Sequence, residues 1–143
     1  MSDSRQRALD LARGIGRMFT AMNQASVTEF TVRNGRRADV LALDGKGRFS
    51  IVEVKTSVAD FQSDAKWPDY LDYCDFYYFG VPEDFPADIL PEEHGLIIAD
   101  RYGAAIVRQA SESPVNAARR KAQTLTFAIQ AARRLRQLTD PGI

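Results

Sequence analysis

Apolar residues recur at helical spacing near both ends of the chain. At the start they predict an amphipathic helix over residues 4–23, with an apolar face formed by Ala8, Ala12, Ile15, Phe19 and Met22. Near the end, Ser113 and Pro114 predict the cap and first turn of a long final helix. The inward stripe of that helix is predicted to be Val115, Ala118, Ala122, Leu125, Ile129, Ala132 and Leu135.

Between these helices, short β-rich stretches alternate with turn signals. Residues 26–56 contain three such stretches, separated by "RNG" and "DGKG". Residues 57–74 predict a helix that Ser57 caps and Pro68 interrupts. A short strand "DFYYFGVP", a loop or helical turn "EDFPADILPEEHG" and a hairpin of "GLIIAD" and "GAAIVR" follow. This order predicts an α/β fold in which helices surround a mixed sheet.

Length and composition narrow the class of protein. A chain of 143 residues predicts one domain over residues 1–143. It has no apolar run near 18 residues and no signal-peptide core, so we expect a cytoplasmic, soluble protein without a membrane span. With Cys74 as the single cysteine and His94 as the single histidine, a disulfide framework and a cysteine-based zinc site are excluded.

The charges cancel overall but are unevenly distributed. Residues 1–24 carry four arginines against two aspartates, and residues 115–143 carry six basic residues against one acid. Residues 60–100 carry eleven acids against Lys66 alone. Two interpretations stay open: one basic and one acidic face that recognise partners, or ordinary solvated surface.

The stretch "SIVEVKT", residues 50–56, combines a strand pattern with two charges. Side chains alternate across a strand, so Glu53 and Lys55 share a face with Ile51, while Val52 and Val54 point the other way. Apolar residues on both faces indicate a strand that is covered on both sides. Charges in such a strand are costly unless they are paired or bind a metal.

The preceding hairpin predicts a partner for Glu53. If "GKG" is a three-residue loop, Leu41 faces Ile51 and Asp39 faces Glu53, with Cβ atoms roughly 4.5–5.5 Å apart. Two carboxylates that close require a proton or a cation, and Mg²⁺ suits oxygen ligands. A two-residue loop would instead separate the acids. In the first hairpin, an Asn34-Gly35 loop would oppose Phe30 to Asp39.

Asp39, thirteen intervening residues and then Glu-Val-Lys resemble the PD-(D/E)XK nuclease superfamily. The core of that superfamily is a helix, a three-stranded meander, a second helix and a further strand, as predicted for residues 4–80. A closer resemblance is to the MmcB family of bacterial DNA repair proteins, which is assigned to the same superfamily. Residues 36–82 and 95–107 carry it, and "EVKTSVADFQSDAKWPDY" is the most specific stretch.

The resemblance implies a restriction-endonuclease-like core and a metal-dependent deoxyribonuclease acting in DNA repair. Asp39 and Glu53 would bind Mg²⁺ or Mn²⁺ with the backbone carbonyl of Val54, and Lys55 would position or activate the attacking water. Many relatives supply a further acid from the first helix. Here that helix offers only Asp3 and Asp10, so Glu29 on the first strand is a substitute candidate.

Further residues are candidates with structural alternatives. An auxiliary role at the site is considered for Asp60, Asp64 and Lys66, which solvated helix charges explain equally well. DNA contacts are considered for Arg36, Arg37, Trp67, Tyr70, Arg119, Arg120, Arg133 and Arg134. Arginines at a hairpin rim, core aromatics and a solvated helix face are the corresponding alternatives.

Three functions therefore compete. The first is a DNA nuclease, and the second is a non-catalytic DNA-binding module in which Asp39, Glu53 and Lys55 form a structural ion-pair cluster. The third is an adaptor whose acidic segment, residues 60–100, binds a basic repair or replication protein. The expected partners are DNA and such proteins, and the oligomeric state stays open.

Overall fold

The first helix packs on one face of a β-sheet because its apolar side chains repeat every three to four residues. Helix α1 covers Asp3–Ala21 and buries Leu11, Ile15, Met18 and Phe19. These side chains pack against strand residues such as Val40, Val52 and Ile97. Gly14 lies where α1 crosses the carbonyl of Asp100, too close for any Cβ. The predicted N-terminal helix is confirmed except at its end, where Met22 follows α1 and is exposed instead of lying on the apolar face.

A six-stranded mixed sheet forms the centre of the computed structural model, which describes residues 3–142. The predicted domain of residues 1–143 also includes Met1, Ser2 and Ile143, which lie outside the described residues. The sheet order follows the chain order, with a β1–β2–β3 antiparallel meander, parallel β3–β4–β5 and antiparallel β6. The strands are β1 Ala25–Thr31, β2 Arg37–Leu43, β3 Phe49–Val54, β4 Phe76–Val81, β5 Gly95–Ala99 and β6 Ala104–Arg108.

The second face of the sheet is covered by short helical segments and one long helix. Helix α2 covers Val58–Ser63, and the hydroxyl of Ser57 caps it by accepting from the Asp60 amide. A 3₁₀ helix covers Trp67–Tyr73, with Pro68 in its first turn, and a second 3₁₀ turn covers Ala87–Ile89. The α/β fold with a mixed sheet is confirmed and is consistent with a restriction-endonuclease-like core. Among residues 3–142, no helix is long and apolar enough to cross a membrane.

The last helix begins later and faces differently than predicted. Helix α3 covers Ala117–Thr139, and its cap is Asn116, which accepts from the amides of Ala118 and Arg119. Ser113 and Pro114 therefore precede the helix, and that prediction is wrong. Val115 is buried but precedes α3, and the rest of the predicted inward stripe is wrong, because all six of its members on α3 are exposed: Ala118, Ala122, Leu125, Ile129, Ala132 and Leu135. Gln123 and Phe127 are the buried side chains.

Polar anchors determine which face of α3 turns inward. The Arg120 guanidinium donates to the Asp75 carboxylate at 2.5 and 2.9 Å, and Gln123 donates to the Tyr73 carbonyl at 2.8 Å. Further along, Arg134 donates to the carbonyls of Thr28 and Glu29 at 2.5 and 2.9 Å. These residues share one helix row with Phe127, so paired polar groups and one aromatic ring outweigh the aliphatic stripe.

Asp75 is the buried end of this anchor. Its side chain is fully buried and also accepts from the amides of Phe49 and Val115. Burial raises the pKa of Asp75, but the hydrogen bonds from Arg120 and both amides more than offset it, so the pKa lies below its ordinary value. The carboxylate therefore joins β3, the segment before α3 and α3 itself.

We expect Arg120→Met to lower the free energy of unfolding by about 3 kcal/mol, because it leaves a buried carboxylate without its cationic partner. Arg119→Met is the matched control, since Arg119 lies over the Tyr73 ring and its removal should cost under about 1 kcal/mol. Urea denaturation of both variants measures the difference. Equal losses would contradict the anchoring role of Asp75.

Candidate functional site

In both β1 and β2, the alternation of side chains between the two faces of the sheet is interrupted at one position. On β1, Val27 and Phe30 pack on the same side of the sheet although they are three residues apart, and on β2 the same holds for Ala38 and Leu41. Strict alternation would need an even separation. The ladder pairs Thr28 with Val40 and Phe30 with Ala38, so the irregularity lies at Glu29 and Asp39.

Glu29 adopts the backbone conformation that accompanies this change. Its φ of 51° lies in the left-handed region, which a non-glycine residue occupies at a cost. The register also corrects the first hairpin: Phe30 faces Ala38, so the predicted pairing of Phe30 with Asp39 is wrong by one residue. Glu29 is thereby brought opposite Asp39.

The second hairpin has the predicted register. Leu43 pairs with Phe49, Leu41 with Ile51 and Val40 with Val52. The backbone ladder ends there, and the acids make the next contacts. The Asp39 amide donates to Glu53 Oε2 at 2.9 Å, and the Val54 amide donates to Asp39 Oδ2 at 2.7 Å. Each carboxylate thus hydrogen-bonds the backbone of the opposite strand.

Burial and neighbouring acids raise the pKa values of both carboxylates. Burial first and the charge of Asp39 second raise the pKa of Glu53 to about 9. Burial also raises the pKa of Asp39 to about 6, although the Val54 amide and Lys55 oppose the shift. Glu29 adds a small increase to the pKa of Asp39. An apo site of this kind carries a negative charge poorly, and a cation would relieve the repulsion.

The donor set fits a hard divalent ion only in part. Carboxylate oxygens are the ligands that Mg²⁺ prefers, and Asp39 and Glu53 supply them. Within residues 3–142, no group of three or more His, Cys, Asp or Glu is placed to hold a metal ion. Remaining ligands would have to be backbone carbonyls, water or substrate oxygens, which is the usual arrangement for Mg²⁺. The carbonyl of Val54 stays a predicted ligand.

Lys55 is held beside the carboxylates by a residue from the next helix. It is 5% exposed, and its Nζ lies 2.5 Å from Asp64 Oδ2. Asp64 ends α2, and hydrogen bonds from Lys55 lower its pKa although burial opposes them. Asp60 instead accepts from the Thr56 amide at 3.0 Å. Lys66 is exposed, and only its backbone amide reaches Asp64.

The residues predicted to contact DNA are mostly engaged with the protein itself. Arg36 pairs with Asp69 at 3.2 Å, while Arg37 is exposed. Trp67 stacks on Tyr77 with centroids 5.7 Å apart, and Tyr70 donates its hydroxyl to the Arg37 carbonyl. Arg119 lies over an aromatic ring, Arg120 binds Asp75, Arg134 binds β1 carbonyls and Arg133 is exposed. Base stacking by Trp67 and Tyr70 stays a prediction.

Sequence reasoning missed one feature next to Asp39. A recess of about 320 Å³ separates α1 from β1, and Asp39 and Val54 line it. From α1 it is lined by Ala8, Ala12, Arg5, Leu9 and Arg13. The sequence signal was the four-residue spacing of Arg5, Leu9 and Arg13, which places them on one helix row.

We expect Glu53→Gln to stabilise the metal-free protein at pH 8. A raised carboxyl pKa contributes stability below the ordinary value of 4.5, and that contribution is lost as pH rises toward about 9. Glutamine keeps an acceptor for the Asp39 amide without the charge. The melting temperature should rise by about 3 °C or more at pH 8 and change little at pH 4. The exposed Glu92→Gln is the control, and a stabilisation that is equal at both pH values would contradict the electrostatic explanation.

Comparison with known proteins identifies the fold and the family of this chain. A solved structure, described as the SPO1766 protein of unknown function from Silicibacter pomeroyi, has a TM-score of 0.91 and 48% sequence identity. The match covers 99% of this chain and 94% of that protein. A search of curated proteins found no match. The family model of MmcB-like DNA repair proteins matches residues 1–142, so this chain belongs to the MmcB-like DNA repair protein family.

Proposed function

We propose that this DNA repair protein is a metal-dependent nuclease that hydrolyses DNA phosphodiester bonds. The observation that carries the proposal is the buried pair of Asp39 and Glu53 where β2 and β3 separate, with Lys55 at the same strand end. Burying two adjacent carboxylates is costly unless a proton or a cation lies between them, and a cation provides a reason for keeping both acids. Membership of a DNA repair family supports DNA as the substrate.

The chain's residues have distinct roles in this proposal. Asp39 and Glu53 would hold Mg²⁺ or Mn²⁺, which would act as a Lewis acid on the phosphate. Lys55 would orient the attacking water and balance the charge that develops on the phosphate oxygens. Asp64 is a positioning residue, because it fixes Lys55 Nζ at 2.5 Å. Water would attack phosphorus and give up a proton to solvent, the bond to one bridging oxygen would break, and that oxygen would take up a proton from solvent.

One observation favours the non-catalytic module as the second candidate. The ion pair with Asp64 neutralises Lys55 without any ligand, and a raised pKa would leave Glu53 protonated. The cluster can therefore exist as a purely structural one. The adaptor hypothesis gains less, because Asp64, Asp69, Asp75 and Asp84 of the acidic segment pair with basic residues of this chain.

Metal binding is tested with the ion alone. We expect calorimetry to detect Mn²⁺ binding to the wild-type protein and none to Glu53→Gln. Affinity should fall as pH is lowered from 8 to 6, because the two carboxyls must lose protons before they can bind the ion. Wild-type affinity in Glu53→Gln would contradict the assignment of Glu53 as a ligand.

Cleavage is tested with a pair of lysine variants. Lys55→Met should lower metal-dependent cleavage about 100-fold while DNA binding stays close to wild type, since it removes one charge at the site and none from the helices. Lys66→Met is the matched control, because it removes a nearby exposed charge. Single-stranded, duplex and branched DNA with Mg²⁺ or Mn²⁺ are the substrates. If the wild type binds DNA but cuts none of them, the non-catalytic module is the better explanation.

A further inference from the structure

The outer face of α1 combines two cations with an exposed apolar side chain. Arg5, Leu9 and Arg13 are four residues apart, so they form one row, and the outer two Cα atoms lie about 12 Å apart. The row lies away from the buried side of α1 and leaves Leu9 45% exposed. Burial on the sheet therefore does not explain why an aliphatic residue separates the two arginines.

This row borders the recess that reaches Asp39. Leu9 and the half-buried Ala8 and Ala12 give the recess an apolar wall, while Arg5 and Arg13 are exposed where it meets solvent. Within residues 3–142, Arg13 makes no side-chain hydrogen bond or ion pair. The recess thus joins an apolar surface, against which a base could pack, to positive charge for the phosphates beside that base.

The two arginines of α1 offset the acids that line the recess. Asp39 and Glu29 contribute negative charge to the lining, so a polyanion could not approach without compensating cations. The arginines of α1 provide that compensation at the positions where flanking phosphates of a bound strand would pass. An uncharged metabolite would need neither arginine.

The depth of the site selects for an unpaired strand. Glu53 and Lys55 are each 5% exposed, and Asp39 is the member of the trio that lines the recess. A phosphate that approaches Asp39 through the recess enters a space of about 320 Å³. A nucleotide within a stacked duplex would first have to leave its helix, at a cost that an unpaired strand does not pay.

We propose that the recess between α1 and β1 is a binding subsite for single-stranded DNA, in which Leu9 contacts a base and Arg5 and Arg13 contact the flanking phosphates. The subsite delivers an unpaired strand, such as a flap or a free end, to Asp39. This proposal rests on the proposed nuclease function for its biological meaning, but the binding itself needs neither metal nor cleavage.

The test is the affinity of the full chain for a fluorescent single-stranded oligonucleotide, measured by anisotropy in EDTA at several salt concentrations. Arg13→Gln should weaken binding about five-fold at low salt and reduce the salt slope by about 0.7, the contribution of one phosphate contact on a single strand. Leu9→Ser should weaken binding about five-fold with an unchanged slope, because it removes apolar contact and no charge. Arg17→Gln, one turn along α1 and outside the recess, should match the wild type.

Three results would overturn the subsite. The first is equal weakening by Arg13→Gln and Arg17→Gln, which would indicate a general attraction to the basic helix. The second is equal wild-type affinity for single-stranded and duplex DNA, and the third is no measurable binding of single strands. Failure of the nuclease proposal has a different signature, because the wild type and the Arg17→Gln control would then bind single strands and cut nothing with Mg²⁺ or Mn²⁺.

Discussion

The separation of β2 from β3 beyond Val40 and Val52 is the constraint on which the site depends. Ladder hydrogen bonds end there, and the carboxylates of Asp39 and Glu53 take over by accepting from the backbone of the facing strand. An unpaired amide in this interior would be costly, so the acids satisfy the backbone while they crowd each other. The same two bonds therefore stabilise the strands and fix the carboxylates.

On its other side Asp39 faces Glu29 of β1, and α3, which is far away in sequence, hydrogen-bonds the backbone of β1 there. Glu29 holds a positive φ next to Asp39, and Arg134 donates to the Glu29 carbonyl. Arg134 in turn is oriented by the attachment of α3 at Asp75 through Arg120. A strained backbone persists only when its surroundings fix it. Helix α3 supplies such fixation, which gives its inward polar residues a role that a merely apolar stripe could not fill.

The sequence predicted the fold and the pairing of β2 with β3, but not the pairing of β1 with β2 or the buried face of α3. The register of β2 and β3 was predictable because the loop "GKG" fixes the pairing and apolar partners then coincide. The β1 pairing was missed because Val32 pairs with Arg36 around a three-residue loop that ends in Gly35 at a positive φ, whereas the prediction assumed a two-residue Asn34-Gly35 loop. The α3 face was missed because periodicity scores leucine above arginine, whereas the buried Asp75 required Arg120.

The energetics distinguish a functional cluster from a structural one more sharply than geometry does. An apolar pair at the positions of Asp39 and Glu53 would avoid both the desolvation and the repulsion that raise their pKa values. The backbone bonds they accept do not require two acids, since an amide side chain such as that of asparagine or glutamine accepts as well. In the proposed nuclease, a bound cation would give the second charge a role that it does not have in the free fold. The recess opens at Asp39 and is bordered by arginines, so a cation held by Asp39 and Glu53 would face an incoming phosphate. The second carboxylate charge would then stabilise the complex with metal and DNA and not the free protein.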